Sequence, residues 1–341
     1  MRTLLVIFIT ILLSSCQETF FSDIPEDTYE NNILSLWEQF DRYYGLFPVK
    51  NIDWDSVRSA ALQEIQHVQS DEELYTLMID MLAILNDSHV GLLPIGTNLP
   101  VWQGGRAGKI DTIDDFHLDV VKAHYLQEEH FAGYFYTYGM LNHSTGYLHI
   151  EGFSDLPRHN EDALDEVISY MNKNAENIII DIRGGYGGED VLSQYIAGRF
   201  AKEKKPYMLS KVRNGPAHCD FTEPITWYVK PKGESQFLGE KVILTHDYTL
   251  SARETFALAM RVMPDVTFVG DTTAGGFSNQ INRELPNGWG FSLSIGDWRD
   301  ANGISHESIG LIPDSLVLNT REEILSGKDH ALETALDILT P

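Results

Sequence analysis

Cysteine is nearly missing from this chain: Cys16 and Cys219 are the two it has. If Cys16 has another use, Cys219 cannot close an internal disulfide, and stability must come from an apolar core. Metal-site spacings are missing too. No His-Glu-x-x-His, paired-cysteine or calcium-loop pattern occurs, so no metal site is expected. Basic residues are few, 25 against 50 acidic ones, and the net charge of -25 excludes nucleic acid and anionic lipid surfaces as partners. The apolar run from Leu4 to Leu13 is far short of the roughly 20 residues that span a bilayer, and it reads as the core of a signal peptide. Tandem repeats and low-complexity tracts are absent.

What the chain does have begins with Leu13-Ser-Ser-Cys16, which resembles the bacterial lipobox. The resemblance implies a mature protein that starts at a lipid-bearing Cys16 and meets the membrane only through that anchor. An ordinary secretory signal with an incidental cysteine is the alternative. Gln17 lacks the aspartate that retains lipoproteins at the inner membrane, which points to the outer membrane. Acidic residues 17–28 would form a linker. With 43% hydrophobic residues and over 300 in the mature chain, a main domain with a smaller companion is expected.

Residues 29–89 carry three amphipathic patterns. They run over 29–44 (Ile33, Leu36, Trp37, Phe40, Tyr43), over 54–68, and onward from Ser70, with Glu73 completing a capping box. Residues 90–145 turn irregular, broken by Pro94, Pro100, Gly104, Gly105 and Gly108, and read as bridging strands and loops, with Phe116 to Val121 as one alternating stretch. From residue 146 to 341, strands near 147–150, 177–182, 242–245 and 266–270 alternate with helices. This α/β pattern predicts a largely parallel sheet with helices packed on it.

Ser251 stands where the apolar strand 242–245 gives way to a helix. There the free N–H groups and positive dipole end could hold an oxyanion. The same Ser-Ala-Arg-Glu254 also fits a capping box, in which the serine is only a cap. Asp181-Ile-Arg-Gly-Gly-Tyr-Gly-Gly188 follows a strand and precedes a helix. It lacks the phosphate-cradle spacing, since Asp190 stands at the third glycine's place, and suits a loop supplying one oxyanion N–H or a plain tight turn. His89 reads as a partner of a helix C-terminus or as a base, and Glu307 as a solvated loop charge or an orienting carboxylate.

Six segments in order resemble the C-terminal processing peptidase (tail-specific protease) family. They are Asn86-Asp-Ser-His-Val-Gly91, Gly146 to Phe153, Ile180 to Gly188, Leu250-Ser-Ala-Arg-Glu254, Gly270 to Gly276 and Gly310-Leu-Ile-Pro-Asp314. The resemblance implies a crotonase-like core of spiralled strand-strand-helix units. Two departures place the chain. Gly276 falls where the bacterial processing enzymes carry a lysine base, and residues 90–144 are too few for their PDZ domain. Both losses point to the branch resembling the tricorn core and the interphotoreceptor retinoid-binding repeats, where a histidine is the base. A third is Gly185, where asparagine is usual.

The resemblance implies a serine endopeptidase acting on peptides or unfolded proteins outside the cytoplasm, through a Ser251, His89, Ser88, Glu307 tetrad. Ala252 and either Gly187 or Gly188 would supply the oxyanion N–H groups. A non-catalytic lipoprotein binding an apolar ligand or peptide on the same fold is the rival. The tetrad requires the front third of the chain to dock on its back third.

Overall fold

The computed structural model describes residues 25–109, 113–154, 157–185 and 187–339. The signal segment, Cys16 and most of the 17–28 linker lie outside them. The chain opens with helices α1 (Tyr29–Tyr43), α2 (Phe47–Lys50), α3 (Trp54–Glu64) and α4 (Asp71–Ala83), then strands β1 (Gly91–Leu93) and β2 (Trp102–Gln103). Helix α5 (Leu118–His124), strands β3 (His130–Ala132), β4 (Tyr136–Met140) and β5 (Thr145–Ile150), helix α6 (Pro157–Asn174), strand β6 (Asn177–Asp181) and helix α7 (Asp190–Gly198) follow. Next come β7 (Lys205–Val212), β8 (Ile225–Val229), β9 (Lys241–Thr245), α8 (Ala252–Arg261) and β10 (Val266–Gly270). The chain ends with β11 (Gln280–Glu284), β12 (Gly290–Ser294), β13 (Gly296–Asp300), β14 (Ser315–Leu316), α9 (Arg321–Leu325) and α10 (His330–Leu339).

Seven strands form the main sheet in the order β14-β10-β9-β6-β5-β4-β3. The pairs from β14 to β5 are parallel, and β4 and β3 add an antiparallel edge. Strands β5 and β9 are buried along their whole length, because helices cover both faces of the sheet. Alternation sorts the side chains: Ile178, Ile180 and Ile243 join the core with α6, α7 and α8, whereas Ile179, Val242 and Leu244 pack with Ala331, Leu332 and Ala335 of α10.

The fold departs from the sequence reading in three places. Phe116 to Val121 is not a strand: helix α5 starts at Leu118, and its inward residue Val121 lies one helical turn from there. Strands β7, β8 and β13 form a separate three-stranded sheet in a region that carried no strand signal. Its Trp298, Tyr207 and Met208 join the core against α7 and α8. The Ser70 cap is present, but Glu73 reaches the N–H of Gln69, not that of Ser70.

The first helices do not close a core by themselves. Ile33, Leu36, Phe40, Trp54, Leu74 and Met78 share one apolar cluster with Trp289, Phe291 and Leu293 of the late hairpin. Trp37 and Trp54 lock α1 to α3 by donating their indole N–H groups to each other's carbonyls at 2.9 and 3.0 Å. A second sheet, β11-β12-β1-β2, underlies these helices, and its β1–β12 pairing joins residues 91–93 to 290–292. Where β12 passes into β13 the end of α1 comes very close: a Cβ on Gly45 would lie 2.3 Å from the Gly296 nitrogen, so no larger residue fits there.

Phe291 is 3% exposed and stacks on Phe40 at 5.8 Å. Phe291→Ala should therefore cost about 3–5 kcal/mol of stability by urea unfolding. A loss below about 1 kcal/mol would show that helices and hairpin do not share a core.

Candidate functional site

Strand β9 ends at Thr245, and a five-residue turn carries the chain to Ser251 at the head of α8. The turn is pinned by His246. Its Nε2 lies 2.7 Å from Asp115 Oδ1, and its Nδ1 lies 3.0 Å from the Tyr248 N–H and 3.1 Å from Asp247 Oδ1. Ser251 has φ 64° and ψ -129°, a left-handed conformation that non-glycine residues rarely adopt. Its hydroxyl caps nothing, which removes the capping reading. The Glu254 carboxylate accepts from the Gly275 and Gly276 N–H groups at 2.8 and 2.7 Å, and from the Thr273 hydroxyl. Burial pushes the Glu254 carboxyl up to about 7, against these hydrogen bonds.

The glycine loop hangs from a buried ion cluster. Arg183 donates to Asp181 and, at 2.8 and 2.9 Å, to both oxygens of Asp329, while Tyr147 donates its hydroxyl to Asp181. The chain then turns through Gly184 and Gly185 with φ 58° and 89°. A Cβ on Gly185 would meet Glu151 O at 2.2 Å and Arg253 Nη2 at 2.3 Å. The departure from asparagine is thus matched by the Arg253 guanidinium, which donates to the Ile182 and Glu151 carbonyls. Gly187 lies beside Ser251: a Cβ on it would be 3.2 Å from Ser251 Oγ. Among the described residues the N–H groups of Ala252 and Gly187 make no hydrogen bond.

His89 comes six residues after α4 ends, so it is no partner of that helix dipole. It is buried, and its backbone is held on both sides. Its N–H donates to Asp87 Oδ1 at 2.8 Å, and Ser292 Oγ on β12 donates to its carbonyl at 2.8 Å. Its Nδ1 is buried without a hydrogen-bond partner. Burial holds the imidazole below its ordinary range, and the Asp87 charge partly offsets this. Ser251 donates its N–H to the Gly276 carbonyl at 3.1 Å, and a Cβ on Gly276 would lie 3.6 Å from His89 Cε1. Leu250 Cδ1 would be nearer, at 2.5 Å, and Ser88 Cβ at 3.4 Å, so His89 is one of three side chains bordering position 276.

Ser88 is buried and accepts from the Ala107 N–H at 3.3 Å. Glu307 is buried as well, contrary to the solvated reading. Its Oε1 accepts from the Phe277 and Ser278 N–H groups at 3.0 and 2.7 Å, and its Oε2 is buried without a partner. Burial first, and then the Asp87 charge, push the Glu307 carboxyl well up. Among the described residues no hydrogen bond joins Ser251 Oγ to His89, or Ser88 Oγ to His89 or Glu307. Asp87, Lys50 and Ser308 had no role in the sequence reading. Lys50 donates to the Asn86 carbonyl at 3.0 Å and to Ser308 Oγ, and Ser308 donates to that same carbonyl at 2.7 Å. The loops of His89 and Glu307 are thereby fastened together. No group of residues suited to a metal occurs among those described.

Residues 144–317 match the peptidase family S41 model, and residues 25–83 match that of the tricorn protease C1 domain. The carboxy-terminal processing proteases CtpA and CtpB of Bacillus subtilis are 26% and 27% identical over 48% and 47% of this chain. The matched stretch spans about a third of those relatives, 33% and 31%. A Parabacteroides merdae ATCC 43184 protein provisionally named a peptidase is 29% identical, with TM-score 0.81 over 93% of this chain and 98% of its own. Mature CPAF shares the fold, with TM-score 0.72 and 11% identity over 91% and 96% of the two chains.

The strain at Ser251 has a thermodynamic consequence. Ser251→Gly should raise stability by about 1 kcal/mol in thermal unfolding, since glycine adopts φ above zero freely. A destabilised variant would mean that the hydroxyl supports the fold.

Proposed function

The chain belongs to peptidase family S41, and on that premise we propose that it is a serine endopeptidase in which Ser251 is the nucleophile, His89 the base and Glu307 the orienting carboxylate. The observation that carries this reading is the strained, uncapped Ser251 between two free N–H groups on one side and the His89 imidazole across Gly276 on the other. In the reaction His89 takes the Ser251 proton as Oγ attacks a peptide carbonyl, then returns it to the leaving amine. The N–H groups of Ala252 and Gly187 hold the oxyanion. Gly187 is the better choice of the two glycines because of its contact with Ser251. Burial disfavours charge on both His89 and Glu307. Glu307 acts in the step as a carboxylate whose charge offsets the imidazolium and whose protonation does not change, its Oε1 held by the Phe277 and Ser278 N–H groups.

The largely parallel order β14-β10-β9-β6-β5-β4-β3 supports reading the α/β core as crotonase-like, with the helices of residues 29–89, the connection 90–145 and the core 146–341 as its parts. The substrates are peptides or unfolded proteins outside the cytoplasm. The Leu13-Ser-Ser-Cys16 segment supports a lipid anchor at Cys16 and residence at the outer membrane. No metal or cofactor enters the chemistry, and the acidic chain has no use for nucleic acid.

A fluorophosphonate probe should label the protein and fail to label Ser251→Ala, which should also lose peptide cleavage by at least a thousandfold. Equal labelling of the variant would remove Ser251 from the role. The active form needs neutral His89, so kcat/KM should rise with pH through an apparent pKa below the usual histidine value of about 6.5. A rise seen only in the lysine range would remove His89.

A further inference from the structure

We infer that Asp87 is a positioning residue for His89, fixing its backbone by a hydrogen bond and giving the buried imidazole the negative charge that favours its protonated state. Asp87 is 1% exposed and makes no ion pair among the described residues. Both oxygens accept: Oδ1 from the His89 N–H at 2.8 Å, and Oδ2 from the Tyr44 hydroxyl at 2.9 Å. Tyr44 is fully buried at the end of α1, its carbonyl is held by Arg213, and burial and then the Asp87 charge keep its hydroxyl protonated. A carboxylate taken out of water with only neutral donors is costly, and a turn alone does not require it.

The other charged groups around the imidazole cannot replace it. Glu307 is pushed toward its protonated form by burial, with Asp87 itself adding to the effect. Lys50 contacts Asn86 and Ser308 and acts on Glu307, and the Glu254 carboxyl is engaged by Gly275, Gly276 and Thr273. At rest, the negative charge that opposes the desolvation of His89 is therefore that of Asp87.

This inference rests on His89 as the base, and its test separates the two. An aspartate accepting from the N–H two residues on makes an ordinary turn, which asparagine makes equally well. Asp87→Asn therefore keeps the turn and removes the charge, with the Tyr44 hydroxyl turned to accept from Nδ2 in place of donating to Oδ2. The His89 ring titration, followed by NMR in a Ser251→Ala background, should move down by about one pH unit. In the active enzyme the acid limb of kcat/KM should move with it, and the plateau should fall about tenfold as the base weakens. An unshifted His89 titration would overturn the inference and reduce Asp87 to a turn former. A shifted titration with an unmoved acid limb would uphold Asp87 and remove His89 as the base. Should Asp87→Asn fail to fold, Asp87→Ser, whose hydroxyl can accept the same N–H, must give the same shift or the inference fails.

Discussion

The molecule depends on one strand pairing. Strand β1, three residues long, lies antiparallel to β12, so that Gly91 faces Ser292 across some two hundred residues of sequence. Two residues before Gly91 is His89, and the Ser292 hydroxyl holds its carbonyl. The pairing alone is weak. It is made firm by the apolar cluster behind it, where Phe40, Trp54, Phe291 and Leu293 are buried by contributions from both ends of the chain. The hairpin contributes Leu285, Trp289, Phe291 and Leu293 to a cluster otherwise built from residues 33–92, so the two ends of the chain share one core.

Strain gathers where that docking is completed. Among the described residues, four that are not glycine have positive φ: Asn51, Asn86, Ser251 and Ser308. Three of them belong to the loops around the imidazole. Ser308 donates its hydroxyl to Asn86 and its N–H to Gly275, so two strained residues brace each other and both border the turn that supports Ser251. Such conformations cost about 1–3 kcal/mol each and persist only when their surroundings over-determine them. The buried His89 Nδ1 and Glu307 Oε2 lie in the same region and have no hydrogen-bond partner.

The alternation of strands and helices from Gly146 onward was legible because each segment is long, apolar and of clear period, and so was the break at Ser251. Strands β7, β8 and β13 were not. β8 exposes much of its length, and β7 and β13 mix polar with apolar residues, so the local pattern lacks the contrast that a half-buried strand shows. Helix α5 was misread because seven residues give too few turns for a helical period to separate from alternation. Of the site, serine, histidine and glutamate could be seen as types in order. The roles of Asp87, Tyr44 and Lys50 could not, since each depends on a partner more than thirty residues away or on burial that composition does not reveal.

On the proposed reading, in which His89 is the base, the imidazole comes from a separate layer, and that changes what must be held in place. A lysine at position 276 would share one loop with the oxyanion support, and its distance from Ser251 would be set by a few bonds. With glycine there, the position is bordered by Leu250 of the same turn and by Ser88 and His89 from outside it. The distance from Ser251 to His89 is then set by the β1–β12 pair, the Lys50–Ser308–Asn86 fastening and the aromatic packing of α1 on β12. Small shifts in any of these move the imidazole as a whole, and because catalysis tolerates displacements of well under an ångström, activity should be lost before the fold is. On that reading the helical layer is as much a part of the reacting geometry as the turn that bears the serine.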